Sequence, residues 1–368
     1  MRVLMDGRPM LRPWMGGVPR LASSLATSIK AALGDDQLII ATTGLRRATD
    51  SAVLSFKFQV SRPIPNKLIA FLTFTGLSSF DRLFRDQNAD VLLLPNLEFV
   101  GRPRMPYALL VHDLSFLVEP RWFDRKSRIW HALVKPRSLI RNATHLFTVS
   151  ETTKRDLIRL LDIDPSRITV IPMGLDPLPA LPDNDRLSRA HDHAPLPQNG
   201  RFILCLGGSN TRKNASCVLA AHAMLVKNPK FQDVDLVICG GLSPQSPPPG
   251  RGARGGATHL DRPSDTELFS LMRDASIFCY PSWYEGFGIP LHEAARFGTP
   301  CIASTSSSLP ETAPEGTTFA SPAKPHHWVE AICQVLDNPE KHRTKTVLGD
   351  WSEAGRIITN KLREIAKA

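Results

Sequence analysis

Two glutamates flank a glycine-containing corner between a strand-like run and a helix-like run. Glu285 and Glu293 are separated by seven residues, and Gly286 and Gly288 lie in the turn between them. In open α/β sheets, ligands bind at such corners, where free backbone N–H groups can meet a phosphate or a developing negative charge. Each carboxylate can accept hydrogen bonds from two hydroxyls at once, so one acid suits a ribose diol and the other a hexose diol.

A second corner combines glycines with paired cations. A strand-like run ends at Leu206, and Gly207, Gly208, Arg212 and Lys213 follow it within seven residues. Glycines let the backbone approach a phosphate closely, while Arg and Lys neutralise a diphosphate that gains charge as its sugar leaves. An exposed basic turn has the same composition, so this segment alone is a weak signal.

A single histidine follows a strand-like run in the first half of the chain. His112 and Asp113 come directly after the run that ends at Val111. A lone histidine at such a position is more often structural than functional, and Asp113 can equally cap the turn that follows. The residues alone leave the roles of both open.

Short β-type runs alternate with longer helical stretches in both halves of the chain, a pattern typical of parallel sheets covered by helices. The predicted strands are 3–5, 38–42, 91–94, 108–111, 145–149, 168–171, 202–206, 235–239, 277–280 and 300–303. The predicted helices are 18–33, 121–140, 151–161 with Ser150 as its N-cap, and an amphipathic helix over 351–368.

The chain is long enough for two domains, because 368 residues exceed the size at which one core keeps growing. Prolines and polar residues accumulate between residues 179 and 200, which we interpret as a linker or surface loop. This predicts a first α/β domain over residues 1–178 and a second over 201–348, with residues 349–368 as a separate helix. A further loop is expected over 243–256, which is rich in Gly, Pro and Arg.

Positive charge is concentrated in the first half. Residues 1–178 carry 25 Lys and Arg against 16 Asp and Glu, while the whole chain carries 45 against 35. This asymmetry predicts that the first half meets an anionic partner. Nucleic acid is not expected, because no recognition motif accompanies the charge.

The segment from Arg121 to Arg141 interleaves cations with Trp122, Trp130 and Leu133. It suits either a solvated helix face or a face that contacts an anionic membrane surface, and the apolar stretch 68–84 could join the latter. No run of 18 apolar residues occurs and the first residues lack the apolar core of a signal peptide, so a cytoplasmic location is expected. The six cysteines show no CxxC spacing and are expected to be buried thiols.

The corner from Glu285 to Glu293 resembles the E-x7-E motif of glycosyltransferase family 4, in the local form EGFGxPxxEA. The stretch 212–214 is similar to the R-K-N stretch of that family, and 306–311 to its segment behind the donor site. The similarity is continuous from about residue 201 to 332.

The first half resembles the same family as well. The H-D-x-S-F segment that begins at His112 is similar to bacterial members, and Gly16 and Gly17 resemble the glycine loop that opens the first helix. Pro19 departs from the polar or basic residue of many relatives, but proline fits a first helical turn.

The resemblance implies an α/β fold of the GT-B type. Two Rossmann-like domains would face each other across a cleft, and the helix over 349–368 would cross back to the first domain. By this resemblance, Arg212 and Lys213 would bind the diphosphate and Glu293 would bind the ribose. Glu285 would bind the sugar together with the backbone amides from Gly286 through Phe287 to Gly288. Gly208 would approach the phosphate, and the N–H groups of Gly16 and Gly17 would approach the donor phosphate or the acceptor. His112 would support the oxocarbenium-like sugar.

The implied activity is transfer of a hexose from a nucleoside diphosphate sugar with retention of configuration. The leaving phosphate would receive the acceptor proton, and no metal or other cofactor is expected because fixed cations replace the metal. The local motifs look most like bacterial enzymes that add mannose or related sugars to lipid-linked polysaccharide intermediates, and GDP-mannose is the favoured donor. Such an enzyme would build polysaccharide, lipopolysaccharide or lipid-linked oligosaccharide, peripherally at the inner face of the membrane. The alternatives are a UDP-sugar donor, a GT-B phosphorylase or epimerase, and a non-catalytic binding protein.

Overall fold

A computed structural model describes residues 1–11, 17–44, 59–181, 201–241 and 255–367. The chain divides into two compact units, Met1–Asp176 with Gly349–Ala368, and Pro177–Leu348. Each unit is built on a parallel sheet with helices, so the predicted α/β class is confirmed.

The first unit contains a sheet of seven described strands in the order β3-β2-β1-β4-β5-β6-β7, all parallel. Its central strands are almost continuously apolar and fully buried, as expected where helices cover both faces. The strands are β1 Arg2–Asp6, β2 Gln37–Thr43, β3 Gln59–Arg62, β4 Val91–Leu94, β5 Tyr107–Val111, β6 His145–Thr148 and β7 Ile168–Val170.

The two longest described helices of the first unit are its first helix and its last, and the last follows the second unit in the chain. They are α1 Gly17–Leu33, α2 Asn66–Thr75, α3 Phe80–Leu83, α4 Ser115–Val118, α5 Arg125–Val134, α6 Pro136–Asn142, α7 Glu151–Leu161 and, after the second unit, α13 Ser352–Lys367. The Ser150 hydroxyl caps α7 by accepting from the Thr153 N–H, as predicted.

The predicted helix over 121–140 is wrong as one element. Residues Pro120–Trp122 form a single 3-10 turn, α5 then begins after an Asp124 cap, and α6 begins at Pro136. Lys135 between α5 and α6 has a φ of +54°. Pro136 disfavours the α conformation at Lys135 and has no N–H to continue the hydrogen-bond ladder, so the helix breaks there.

Helix α13 packs against α1 within the first unit. A Cβ atom on Gly355 would lie 2.6 Å from the Ser28 backbone carbonyl carbon, so only glycine permits this approach. Asp176, at the end of the first segment of this unit, accepts hydrogen bonds from Ser24 at 2.5 Å and from the Trp351 indole at 2.9 Å. These contacts hold α13 to α1 and to the end of the preceding chain segment.

The second unit contains a sheet of six described strands in the order β10-β9-β8-β11-β12-β13, again all parallel. The strands are β8 Phe202–Leu206, β9 Asp235–Cys239, β10 Ala257–Leu260, β11 Ile277–Tyr280, β12 Cys301–Ser304 and β13 Thr318–Ala320. The helices are α8 Ala215–Leu225, α9 Asp265–Asp274, α10 Ile289–Ala295, α11 Leu309–Thr312 and α12 Pro325–Asp337.

The ten predicted strands are all present, whereas β3, β10 and β13 were not predicted. Each of these three lies at one edge of a sheet and is only three or four residues long, so its apolar run is short. Residues 182–200 of the predicted linker and 243–254 of the predicted loop lie outside the described residues.

Five of the six cysteines are buried and Cys333 is half-buried. Within the described parts of the chain, no helix combines the length and apolarity that crossing a bilayer requires.

Candidate functional site

Three neighbouring strands of the second sheet bring their following loops to one edge. β8, β11 and β12 are adjacent in the sheet order and parallel, so their carboxyl ends lie side by side. The β8 loop contains a 3-10 turn over Thr211–Lys213, which Asn210 caps by accepting from the Arg212 N–H at 3.1 Å. The turn fixes the backbone of both predicted cations.

The Glu285 carboxylate lies between these two cations. Its Oε2 is 3.2 Å from Arg212 Nη1, and its Oε1 is 2.7 Å from Lys213 Nζ. All three side chains are largely buried, with 9%, 15% and 21% exposure for Glu285, Arg212 and Lys213. The structure therefore brings together three predicted residues from two separate corners of the sequence.

The cations determine the ionisation of Glu285. Burial alone raises the pKa of this carboxyl, but Lys213 and Arg212 overcome that effect and lower its pKa to about 2. Glu285 is therefore an anion at neutral pH. An ionised carboxylate is a hydrogen-bond acceptor for hydroxyls and a weak base.

Further hydrogen bonds fasten the β8 loop to the β11 loop. Arg212 Nη1 donates to the Tyr284 carbonyl at 2.5 Å, and the Trp283 N–H donates to the Arg212 carbonyl at 2.8 Å. The buried Asn214 side chain donates to the carbonyls of Pro281 at 3.1 Å and Pro322 at 2.8 Å. The positions of the cations are thus fixed by backbone contacts as well as by Glu285.

Tyr280, the last residue of β11, lies beneath the cluster. Lys213 Nζ is 2.5 Å from the Tyr280 hydroxyl oxygen and 4.6 Å from the centre of its ring. Burial raises the pKa of the Tyr280 phenol, and the charges of Glu285 and Glu293 raise it further. Tyr280 is therefore neutral and close to both predicted carboxylates. No local pattern in the sequence marks Tyr280 as part of the site.

Glu293 lies on α10, the helix that follows the corner, and is only 4% exposed. Gly288 is the N-cap of this helix with a φ of +98°, and a Cβ there would lie 2.7 Å from the Leu309 side chain. Gly286 is buried and Phe287 half-buried. The two glutamates of the motif thus occupy one strand-to-helix corner, as their spacing predicted.

Hydroxyl groups after β12 support the backbone of the corner. Ser307 accepts from the Glu285 N–H at 3.1 Å and donates to the Glu285 carbonyl at 2.5 Å, while Ser308 donates to the same carbonyl at 2.9 Å. Thr312 donates to the Phe287 carbonyl. The resemblance marked 306–311 as lying behind the donor site, but the positioning role of these hydroxyls on Glu285 was missed.

Gly208 packs closely against the loop after β9, which the sequence did not predict. Its φ is +44°, and a Cβ on it would lie 2.2 Å from the Gly241 carbonyl oxygen. The close packing of the β8 loop on the β9 loop therefore accounts for this glycine by itself. Its approach to a phosphate stays a prediction.

The remaining predicted residues belong to the first unit. His112 Nε2 is 2.8 Å from the Pro95 carbonyl, which can only accept, so Nε2 carries the proton. Burial lowers the pKa of His112, so the ring is neutral near pH 7 and presents a lone pair on Nδ1.

Asp113 caps the turn after β5, because its Oδ1 accepts from the Ser115 N–H at 2.9 Å and hydroxyl at 2.6 Å. Gly17 opens α1, and Gly16 lies outside the described residues. The predicted role of the first-unit residues at the donor stays a prediction.

Models of two known families match the chain. The model described as Glycosyltransferase Family 4 matches residues 15–177, and the one described as Glycosyl transferases group 1 matches residues 188–347.

Among proteins of similar sequence is a D-inositol 3-phosphate glycosyltransferase of Corynebacterium glutamicum, 29% identical over 215 residues, which are 55% of this chain and 51% of that protein. Another is an MMP alpha-(1→4)-mannosyltransferase of Mycolicibacterium hassiacum, 29% identical over 239 residues, 62% of this chain and 54% of that protein. The chain thus spans about half the length of the curated relatives it matches.

A solved structure with a similar fold is sucrose-phosphate synthase from Thermosynechococcus elongatus. It aligns with a TM-score of 0.67 and 18% identity, over 100% of this chain and 96% of that one. The likeness supports the same fold for the two chains.

The three-charge cluster predicts an acid-dependent stability. We expect Glu285→Gln to lower the free energy of unfolding at neutral pH, on the order of 3 kcal/mol, because it leaves two buried cations without their counterion. The Glu285 pKa lies near 2 in the folded chain against an ordinary value of 4.5, so the wild-type advantage is lost as pH falls from about 4.5 towards 2.

Urea denaturation of both forms at a series of pH values measures this difference. A gap between wild type and Glu285→Gln that stays constant from neutral pH to pH 3 would show that the carboxylate is not stabilised by the cations.

Proposed function

We propose that this chain, which belongs to glycosyltransferase family 4 by the two models that match its halves, transfers a hexose from a nucleoside diphosphate sugar to a saccharide acceptor with retention of configuration. The observation that carries the proposal is the cluster of Arg212, Lys213 and Glu285. Its geometry suits a donor that combines a diphosphate with sugar hydroxyls.

The cluster has a net charge of +1 from two cations and one carboxylate, at the carboxyl edge of a parallel sheet. A diphosphate placed against Arg212 and Lys213 gains charge when its bond to the sugar breaks. Cations fixed beforehand stabilise that charge without reorganising during the reaction. The hydrogen bonds from Arg212 to Tyr284 and from Lys213 to Tyr280 hold both cations in place.

Retention is supported by the weak basicity of Glu285. In the proposed reaction the bond between the anomeric carbon and the phosphate oxygen breaks, and the acceptor oxygen bonds to the same face of that carbon. The acceptor proton passes to the leaving phosphate oxygen. A carboxylate with a pKa of about 2 is a poor general base, so Glu285 is better suited to accept hydrogen bonds from sugar hydroxyls.

The other predicted residues complete the donor site in this proposal. Glu293 accepts from the ribose hydroxyls, and the amides from Gly286 to Gly288 meet the sugar. His112 acts on the oxocarbenium-like sugar through its main chain or through Nδ1, because Nε2 is committed to Pro95. No metal is required, since Arg212 and Lys213 supply the positive charge that a metal ion would provide.

We propose mannose from GDP-mannose as the transferred group. The H-D-x-S-F segment and the 306–311 segment support this choice, as does the name of the mannosyltransferase from Mycolicibacterium hassiacum. A UDP-sugar is the second candidate.

The proposed acceptor is a polysaccharide or a lipid-linked oligosaccharide, as in lipopolysaccharide assembly. The basic character of the first half supports a cytoplasmic enzyme that associates peripherally with the inner face of the membrane.

Removing one charge of the cluster tests the site. We expect Arg212→Ala to lower turnover about 100- to 1,000-fold, because one fixed cation no longer stabilises the leaving diphosphate. Glu293→Ala should also reduce turnover strongly, through loss of the ribose contact. Release of nucleoside diphosphate, measured with and without acceptor, also separates transfer from hydrolysis, phosphorolysis and epimerisation.

Lys227→Ala is the matched control, since it removes one positive charge from an exposed position on the second unit. Near-normal turnover of both Arg212→Ala and Glu293→Ala, with native circular dichroism, would refute the site assignment.

The donor base can be identified by thermal shift. Ligands that bind only the folded chain raise the melting midpoint, and the rise increases with affinity. We expect GDP and GDP-mannose to raise it more than UDP, ADP and their sugars at equal concentration. A larger rise with UDP and UDP-sugars would replace GDP-mannose by the second candidate.

A further inference from the structure

The first unit contains a cavity of about 600 Å³ that none of the predicted site residues lines. Its walls come from the end of α2, the loop between β4 and β5, and the junction of α5 with α6. The volume is sufficient for a diphosphate together with part of an attached group.

Four cations and no acidic residue line this cavity, which we call the basic cavity. The cations are Arg82, Arg102, Arg104 and Lys135. The guanidinium groups of the three arginines make no ion pair or hydrogen bond with any residue that the structure describes. Lys135 Nζ donates to the Phe74 carbonyl at 3.2 Å and lies 4.4 Å from the centre of the Phe74 ring. The cavity therefore carries an excess of positive charge.

The buried acid Asp81 forms no ion pair with these cations among the residues that the structure describes. Asp81 accepts from the Ser79 hydroxyl at 2.5 Å and from the backbone N–H groups of Arg104 and Met105 at 2.8 and 3.3 Å. It thereby fixes the backbone that carries Arg104, while the Arg104 side chain is exposed. Gly101 in the same loop has a φ of +78°, and a Cβ on it would lie 2.9 Å from the Ser78 carbonyl oxygen. The loop is thus built tightly around the cavity.

Exposed apolar side chains border the cavity. Six of the ten large apolar residues exposed among the described residues lie on α2, directly after it, or on α5, the helix that contacts α2. Phe74 and Leu133 belong both to this group and to the cavity wall. We call the group the apolar rim, and it consists of Leu68, Phe71, Phe74, Leu77, Ile129 and Leu133.

The apolar rim faces away from the core of its unit. On α2 only Ile69 and Thr73 are buried, whereas Leu68, Phe71 and Phe74 are 46%, 58% and 44% exposed. Exposed aromatic and aliphatic side chains beside cations are typical of a surface that inserts shallowly into a membrane interface. A contiguous apolar patch also marks an interaction site on a globular protein.

We propose that the basic cavity binds the terminal phosphate or diphosphate group of a membrane lipid, whose hydrocarbon lies against the apolar rim. A phosphate monoester carries between one and two negative charges at neutral pH, while the phosphodiester of most phospholipids carries one. Four cations therefore favour the monoester or diphosphate, and arginine can bind its oxygens with two parallel hydrogen bonds. Binding of the lipid phosphate does not depend on the proposed function. Only the further step of naming this lipid as the acceptor would rest on it.

Vesicle flotation tests the proposal. The 368-residue chain is mixed with phosphatidylcholine vesicles that contain phosphatidic acid or phosphatidylglycerol, adjusted to equal surface charge. We expect wild type to bind the phosphatidic acid vesicles about tenfold more tightly, because only that lipid presents a monoester. R102A/R104A should reduce this ratio to about one.

The matched control is R125A/R128A, which removes the same charge from exposed positions of α5 outside the cavity. It should weaken binding to both vesicles and keep the ratio. If wild type shows no preference, or if R102A/R104A keeps it, the cavity is not a phosphate site. If the control abolishes the preference as completely, diffuse attraction explains it and the proposal is overturned.

The source of the phosphate is tested with F71S/L77S, which should lose vesicle binding but still bind inorganic diphosphate in calorimetry. The titration uses an R212A/K213A background, so that the proposed donor site does not contribute. Binding of inorganic diphosphate by a chain that binds neither vesicle would identify a free anion as the ligand and overturn the lipid proposal. GDP should raise the melting midpoint of R102A/R104A as much as that of wild type. The donor site is then intact, and a negative vesicle result counts against this inference and not against the donor site.

Discussion

The contact of the Glu285 carboxylate with Arg212 and Lys213 determines the form of the candidate site. A buried carboxylate is costly unless opposite charges and hydrogen bonds compensate for the lost water. The two cations provide that compensation, and they come from the loop after β8 while Glu285 comes from the loop after β11. The charge cluster therefore joins two loops that are about 70 residues apart in the sequence.

Much of the surrounding structure serves to hold this cluster. Ser307 and Ser308 fix the Glu285 backbone from the loop after β12, and Asn214 ties the β8 loop to two carbonyls. Because the protein's own hydrogen bonds fix these loops, the site is preorganised for an anion. The cost is a net positive charge held in a partly buried place, which a diphosphate would relieve.

The strands and the acidic corner were predictable because their signals are local. An apolar run between turn residues is sufficient for a buried strand, and the spacing of Glu285 and Glu293 spans one strand-to-helix corner. The break at Lys135 was also encoded in Pro136, but the continuous basic and aromatic pattern concealed it. The contacts of Tyr280 and Ser307 depend on which loops meet in space, and no local pattern reports that. The same holds for Gly208, where a side chain would collide with the carbonyl of Gly241, a residue distant in the sequence.

A crystal structure of the chain with a bound nucleoside diphosphate would show whether the charge cluster binds the donor. We expect diphosphate oxygens within hydrogen-bond distance of Arg212 and Lys213, with the ribose hydroxyls on Glu293. We also expect Glu285 at the edge of the site, turned towards the position of the sugar. A nucleotide bound elsewhere, with the contact of Glu285 to both cations unchanged and no phosphate beside them, would contradict that expectation.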